Sequence, residues 1–266
     1  MHHALPKALF AALALAALAG HPPASASAPP TQGQFGPGEV LTFRVRYGPV
    51  DTGVTKIVVG SERAVEARDT WPIVVRARTS PGFSRVFDVR DRFVTFWDPE
   101  TQESLGFDFH VREGDFRRFT KARLDPSVGE ARVELRDPGK APRNEVHKIG
   151  PVAHDIASAL FWLRAQPLKV NERYQVDVFT GKHAFVLGAK VEGTERLDTV
   201  VGERETLRLR LTTHFKGKLA AKRDIVLWMS HDEAHIPLAI EAELVLGSLR
   251  AELTQYLPGL ARPKAL

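Results

Sequence analysis

The chain has 266 residues, with 37 Lys and Arg against 32 Asp and Glu, a formal net charge of +5 and no cysteine. Without cysteine there is no disulfide framework, no thiol nucleophile and no lipid-modified cysteine anchor, so a hydrophobic core must carry the stability. The small basic excess is spread along the whole sequence, which argues against a nucleic-acid partner, since such a partner calls for cations gathered on one face.

Lys7 precedes the apolar run Ala8 to Gly20, and Ala24-Ser25-Ala26 follows it. This order of cation, apolar stretch and small residues predicts a secretory signal peptide over 1–26, cleaved after Ala26, and a periplasmic product. The run is shorter than the ~20 residues needed to cross a bilayer, so the product is expected not to be integral to the membrane. Residues 27–37, rich in Pro, Ala, Ser and Gly, read as a flexible leader, 38–257 as a single β-rich domain and 258–266 as a flexible tail.

Leu41, Phe43, Val45 and Tyr47 alternate with Thr42, Arg44 and Arg46, the period of two of a strand with one buried face. The same rhythm predicts strands over Thr52 to Val59, Trp71 to Thr79, Arg85 to Trp97, Ser104 to Val111, Phe116 to Leu124 and Arg132 to Leu135. It continues over Tyr174 to Thr180, Ala184 to Val191, Thr206 to Phe215, Ile225 to Met229, Leu238 to Leu246 and Ser248 to Tyr256. Turn signals such as Glu113-Gly114-Asp115, Asp137-Pro138-Gly139, Glu192-Gly193 and Leu246-Gly247-Ser248 separate them.

One segment breaks the rhythm. From Asp155 to Ala165 the spacing predicts a helix, with Asp155 as its N-cap, Ser158 three residues on and Arg164 in the last turn, where the dipole favours a cation. Ile156, Ala159, Leu160 and Leu163 line one side, yet Phe161 and Trp162 make the other apolar too, so the helix should be covered on most of its surface. The expected fold is all-β and mainly antiparallel: a curved sheet or barrel-like single domain with one buried α-helix near 155–165.

Candidate chemistry is thin. His231-Asp-Glu-Ala-His235 differs from a zinc-protease helix, whose Glu directly follows the first His, and it lies between two predicted strands, so a polar hairpin connection is the expectation. His110, His147, His154, His183 and His214 show no ligand spacing. The pairs Asp88/Asp91 and Glu203/Glu205 are the carboxylates that could serve hydrolysis, but strand spacing leaves their separation open. We assign no catalytic residue, no metal ligand and no cofactor. Arg44/Arg46, Arg90/Arg92 and Arg208/Arg210 form basic rows that keep a sheet face wet or meet phosphate or acidic glycan, and Arg44/Arg46 and Arg208/Arg210 are the faces open to an envelope protein partner. Aromatics give the stronger signal, and Phe93, Trp97, Phe107, Phe109, Trp162 and Trp228 are the candidate ligand-binding set. An apolar cavity and a packed core produce the same pattern.

With the strands placed, several blocks resemble an exported bacterial family, domain of unknown function 3108. They are Phe35-Gly-Pro-Gly-Glu-Val-Leu-Thr-Phe-Arg-Val-Arg-Tyr-Gly48 with Gly53, Asp155-x-x-Ser-Ala-Leu-Phe-Trp-Leu-Arg164 and Thr180-Gly-Lys182. The series closes with Trp228-Met-Ser-His-Asp232, Ile236-Pro237 and Gly247-Ser-Leu-Arg-Ala251. The similarity runs from Phe35 to Leu257 and departs at Val200-Val-Gly202-Glu203, where a Pro-Ala-Gly turn is common in the family. It implies an exported, β-rich envelope protein of diderm bacteria and no particular reaction. The reading is therefore a non-enzymatic binding or assembly factor for an amphiphile or glycan, that is, a lipid or sugar ligand. The alternative is an envelope hydrolase acting through carboxylates. An integral outer-membrane barrel is disfavoured, because the strands lack an apolar band between aromatic girdles.

Overall fold

The computed structural model describes residues 35–151, 153–199, 202–214, 225–243 and 247–260. The expected signal peptide, leader residues 27–34, the tail from 261, and Val200 and Val201 of the departing turn lie outside the described residues.

The first half of the chain contributes β1 (Val40–Tyr47), β2 (Val50–Val59), the short β3 (Arg63–Val65), β4 (Arg68–Thr79) and β5 (Arg90–Trp97). It continues with β6 (Ser104–Glu113), β7 (Phe116–Asp125), β8 (Glu130–Arg136) and β9 (Arg143–Lys148). After β10 (Ala153–His154) come helix α1 (Ile156–Arg164), β11 (Arg173–Phe179), β12 (Ala184–Thr199) and β13 (Gly202–His214). The last strands are β14 (Ile225–Ser230), β15 (Pro237–Glu243) and β16 (Ser248–Leu257).

These strands form one sheet in the order β10-β11-β12-β13-β14-β15-β16-β1-β2-β4-β5-β6-β7-β8-β9, with β3 paired on β4. All pairs are antiparallel except β10 with β11. Pairing of β16 with β1 joins the two halves. Among the described residues β9 and β10 share no ladder, so the curved sheet is not closed. Its ends meet through side chains instead: the His147 ring on β9 lies 5.4 Å from that of Phe179 on β11.

Helix α1 occupies the interior. Phe161 packs with Leu41, Phe43, Trp71 and Trp97; Leu163 packs with Leu207, Leu209, Leu227 and Met229; Ala159 packs with Val176, Val178 and Phe185. Each buried side chain of that size contributes roughly 1.5–3 kcal/mol, so covering the helix on several sides does more for its stability than its short length can. Phe35 also packs in this core, against Trp71, Trp97 and Phe161, and the Leu260 amide donates to the Pro37 carbonyl at 2.8 Å.

Local departures from the sequence reading have physical causes. Glu192-Gly193, a turn signal, is a bulge: the register shifts between Val191 and Gly193 while β12 runs on to Thr199. The segment from Arg85 onward begins as a single helical turn, Phe83–Arg85, and the strand starts only at Arg90. β9 is an edge strand of sequence Arg-Asn-Glu-Val-His-Lys, and an edge carries too few apolar residues to show alternation.

Candidate functional site

The N-terminus of α1 is anchored in a buried polar nest. Asp155 Oδ1 accepts from the amides of Ala157 at 2.9 Å and Ser158 at 3.0 Å, and Ser158 Oγ accepts from the Asp155 amide at 2.9 Å, a reciprocal cap. Asp155 Oδ2 accepts from Ser104 Oγ at 2.7 Å and from the Thr95 hydroxyl. A bulge makes this possible: the β5–β6 register shifts between Thr95 and Trp97, and Gly106 adopts φ 127. A Cβ on Gly106 would lie 2.2 Å from the Ala122 carbonyl oxygen, so only glycine fits where the bulge lets Ser104 and Phe107 both face inward. Burial pushes the Asp155 carboxyl up, and the bonds from Thr95, Ser158 and Ser104 oppose it.

His154, the preceding residue, is fully buried, with its ring 5.9 Å from that of Trp97 and 6.2 Å from that of Trp162. Neither ring nitrogen has a hydrogen-bond partner among the described residues, and burial pulls its pKa down to about 4. Ser104, Asp155 and His154 therefore do not form a nucleophile relay. In a relay the imidazole sits between hydroxyl and carboxylate, whereas here the hydroxyl donates directly to the carboxylate and the imidazole bonds to neither.

Further along the same inner face lies an aromatic basin. Phe93 stacks on Phe107 at 4.9 Å and meets Phe109 edge-on at 5.3 Å. Phe107 is buried with Ala122, Leu124, Val133 and Phe179, while Phe93 and Phe109 are only half-buried. The Gly181 turn closes one side, since a Cβ there would lie 3.3 Å from the Phe107 ring. Strand alternation puts Asp91 beside Phe93 and Glu113 beyond Phe109 on this face. Glu113 is raised to about 7, first by burial, then by the Asp91 charge and the hydrogen bond the two carboxyls share. Asp91 is also raised by burial, against an amide bond from Arg112 at 2.8 Å. Across the rim Arg118 grips Asp137 with bonds of 2.7 Å and 3.0 Å.

The expected ligand set thus divides. Phe93, Phe107 and Phe109 come together in the basin, and Trp97 and Trp162 flank His154, with the Thr95–Asp155 contact between the two groups. Trp228 is on the opposite sheet face: Leu227 and Met229 point to α1, while the Trp228 indole N–H donates to Glu195 and the Arg250 guanidinium lies 4.9 Å over its ring. Of the other candidates, His235 donates from Nδ1 to the Arg164 carbonyl at 2.9 Å, whereas His231 faces Glu205 at 3.5 Å. Asp88 binds Arg90 at 3.2 Å, apart from the Asp91–Glu113 pair, and Glu203 lies 3.7 Å from Arg196. The basic rows carry carboxylate partners: Glu192 holds both Arg208 and Arg210, and Glu252 lies 3.7 Å from Arg44.

Two polar features escape sequence reasoning. Glu39 is the buried partner of Arg164, and Glu113 is the partner of Asp91. An arginine in an otherwise apolar helix signals that a carboxylate must come from elsewhere, but not which one. Nothing in the sequence marks Glu113.

The geometry defines a class, an open β-barrel-like protein plugged by the one α-helix among the described residues. The family model described as protein of unknown function (DUF3108) matches residues 42–254, and the chain belongs to that family. Its fold is similar to that of a β-barrel-like protein of domain of unknown function DUF1849 from Brucella abortus. That likeness has a TM-score of 0.57 at 12% identity and covers 84% of this chain and 98% of that one. A Bacteroides fragilis protein with a YmcC-like fold gives a TM-score of 0.37 at 9% identity, covering 85% of this chain and 100% of that one. No curated protein matches the chain.

Proposed function

We propose that this chain is an exported, periplasmic, non-enzymatic binding or assembly factor of the bacterial envelope, and that the Phe93–Phe107–Phe109 basin receives the apolar part of an amphiphile. One observation carries the reading: Phe93 and Phe109 are only half-buried on the inner face of a sheet that does not close. An apolar guest covering ~200 Å² there gains ~5 kcal/mol at ~25 cal/mol per Å², before binding entropy is subtracted, which suits micromolar affinity. The Arg118–Asp137 ion pair and the hydrogen-bonded Asp91 and Glu113 carboxyls give the basin a polar rim that suits a polar head group. The segment 1–26, with its cation, apolar run and small residues, supports export.

The alternative, a hydrolase acting through carboxylates, draws on the Asp91–Glu113 pair, because a carboxyl near 7 beside a second one is a general acid–base arrangement. Direct hydrogen bonding brings the two closer than the ~5 Å or more that glycoside hydrolysis needs between its carboxyls, so binding is the better reading. Titration with N-phenyl-naphthylamine tests it. Stoichiometric binding to native protein, displaced by envelope lipid extract and weakened by Phe93→Ala and Phe109→Ala, supports the proposal. Probe binding confined to partly unfolded protein contradicts it.

A further inference from the structure

Arginines far apart in the sequence meet in one line across the outer face of the sheet, the face turned away from α1. Arg44 on β1 pairs with Val54 on β2, Val54 with Arg78 on β4, and Arg78 with Arg90 on β5. On the next two strands Arg112 pairs with Arg117, and the flanking pairs Val89–Glu113 and Arg92–His110 put Arg112 beside Arg90. Alternation turns this line outward, because neighbours such as Val45 and Phe93 pack in the interior.

Like charges directly opposite each other across strands repel and cost stability. Arg90 is matched by Asp88 at 3.2 Å and Arg44 lies 3.7 Å from Glu252, but Arg78 and Arg112 have no carboxylate within ion-pair distance among the described residues. The same holds for Arg85, exposed in the loop before β5, while Arg117 donates to the carbonyls of Gly114 and Phe116. Asp115 is the carboxylate of the adjoining β6–β7 turn, and it stands against Arg78, Arg85, Arg112 and Arg117.

A second feature of this end of the sheet is apolar. Val86, next to Arg85, is 66% exposed, Phe116 at the start of β7 is 40% exposed, and Val54, between Arg44 and Arg78, is 46% exposed. Backbone bonds hold them together: the Gly114 amide donates to the Asp88 carbonyl at 2.7 Å, and the Ser80 amide to the Thr52 carbonyl at 2.9 Å. A soluble polyanion such as an acidic glycan or a nucleic acid would neutralise the arginines and leave Val86 and Phe116 in water. An anionic bilayer surface takes both, since its phosphates meet the arginines and its interfacial layer covers the apolar tips.

We propose that this end of the sheet docks on the surface of a membrane bearing anionic lipid, with the arginine line at the phosphates and Val86 and Phe116 dipped into the interface. Phe93 and Phe109 lie on the inner face of the same strands, so a docked protein carries the aromatic basin next to the lipid. Docking does not require the basin to be occupied.

Vesicle flotation tests this with protein purified from its own host. The parent should float with vesicles of phosphatidylglycerol and phosphatidylethanolamine and not with phosphatidylcholine vesicles. The double variant Arg78→Gln, Arg112→Gln should partition about thirtyfold less at low salt, at roughly fivefold per cation near an anionic surface. With its like-charge pairs removed, it should melt no lower than the parent. Arg85→Gln, outside the strands, should lose about fivefold, which frees the test from any change in the sheet. Val86→Ser, Phe116→Ser should bind more weakly and leave a remainder that salt abolishes. N-phenyl-naphthylamine titration of the arginine variants should match the parent, so failure of docking and failure of the basin are told apart. Equal flotation with anionic and neutral vesicles, unchanged partition in the arginine variants, partition indifferent to Val86 and Phe116, or full displacement from vesicles by polygalacturonate or duplex DNA at equal charge would overturn the proposal.

Discussion

Arg164 and Glu39 form a bidentate ion pair, with both bonds at 2.8 Å and neither side chain exposed to solvent. The Arg164 guanidinium lies 5.0 Å from the ring centroids of both Phe35 and Phe161, and the Tyr256 hydroxyl donates to Glu39 at 3.2 Å. Burial, with the Glu39 charge next, pushes the Tyr256 phenol up to about 12, which keeps it a donor. The pair ties the lead into β1 to α1 and, through Tyr256, to β16, at the point where the two halves of the sheet join. Removing one partner leaves an uncompensated buried charge, so Glu39→Gln should destabilise by roughly 3–5 kcal/mol in denaturant melts. The double variant Glu39→Leu, Arg164→Met should be more stable than either single variant, because no buried charge is then left unpaired.

Asp155→Ala removes an N-cap acceptor and takes the carboxylate from the buried hydroxyls of Thr95 and Ser104, which keep only the longer bonds to each other at 3.3 Å and from Ser104 to the Gly106 carbonyl at 3.4 Å. An exposed cap costs about 1 kcal/mol, and leaving buried donors poorly paired adds roughly 1–3 kcal/mol. Asp155→Asn keeps one acceptor oxygen, enough for the two helix amides that share Oδ1, and should cost less. Chemical denaturation of the two variants side by side measures the difference.

His154 sets an acid limit on stability. Its folded pKa is about 4 against 6.5 for the free side chain, so the unfolded chain takes up the proton first as the pH falls. Stability is therefore fully present above 6.5 and declines toward 4, by up to about 3 kcal/mol at ~1.4 kcal/mol per pH unit. Glu113 acts in the opposite direction: raised from 4.5 to about 7, it stays protonated in the folded state, and its contribution is lost as the pH rises through that range. Between pH 4.5 and 6.5 the two slopes oppose each other, so melts should show His154→Leu losing stability as the pH rises and Glu113→Gln losing it as the pH falls.

Trp162 touches the apolar clusters on several sides of α1, and Trp162→Ala should cost roughly 3–5 kcal/mol. Trp228 lies on the other face of the sheet, and Trp228→Phe should leave probe binding at the basin unchanged. Thermal melts and the probe titration together check both outcomes.

The parts of this fold legible in the sequence are those where one periodicity dominates. Alternation over Leu41 to Tyr47 and the Asp155–Ser158 cap each arise from local chemistry, and both appear where expected. Glu192-Gly193 misleads because glycine serves a bulge as well as a turn. Clustered phenylalanines point to the basin, but the sheet face of Trp228 depends on strand register, and Glu39 pairs with a residue far along the chain. Such partners are fixed by topology, which no local pattern encodes.

Native mass spectrometry of the protein, purified without detergent from the envelope fraction of its own host, bears most directly on the proposed function. A retained species with the mass of a lipid or lipid-linked glycan, present in the parent and Trp228→Phe proteins and depleted in Phe93→Ala and Phe109→Ala, is the predicted result. Ligand-free protein from that source, or a bound species unaffected by either phenylalanine change, would contradict it.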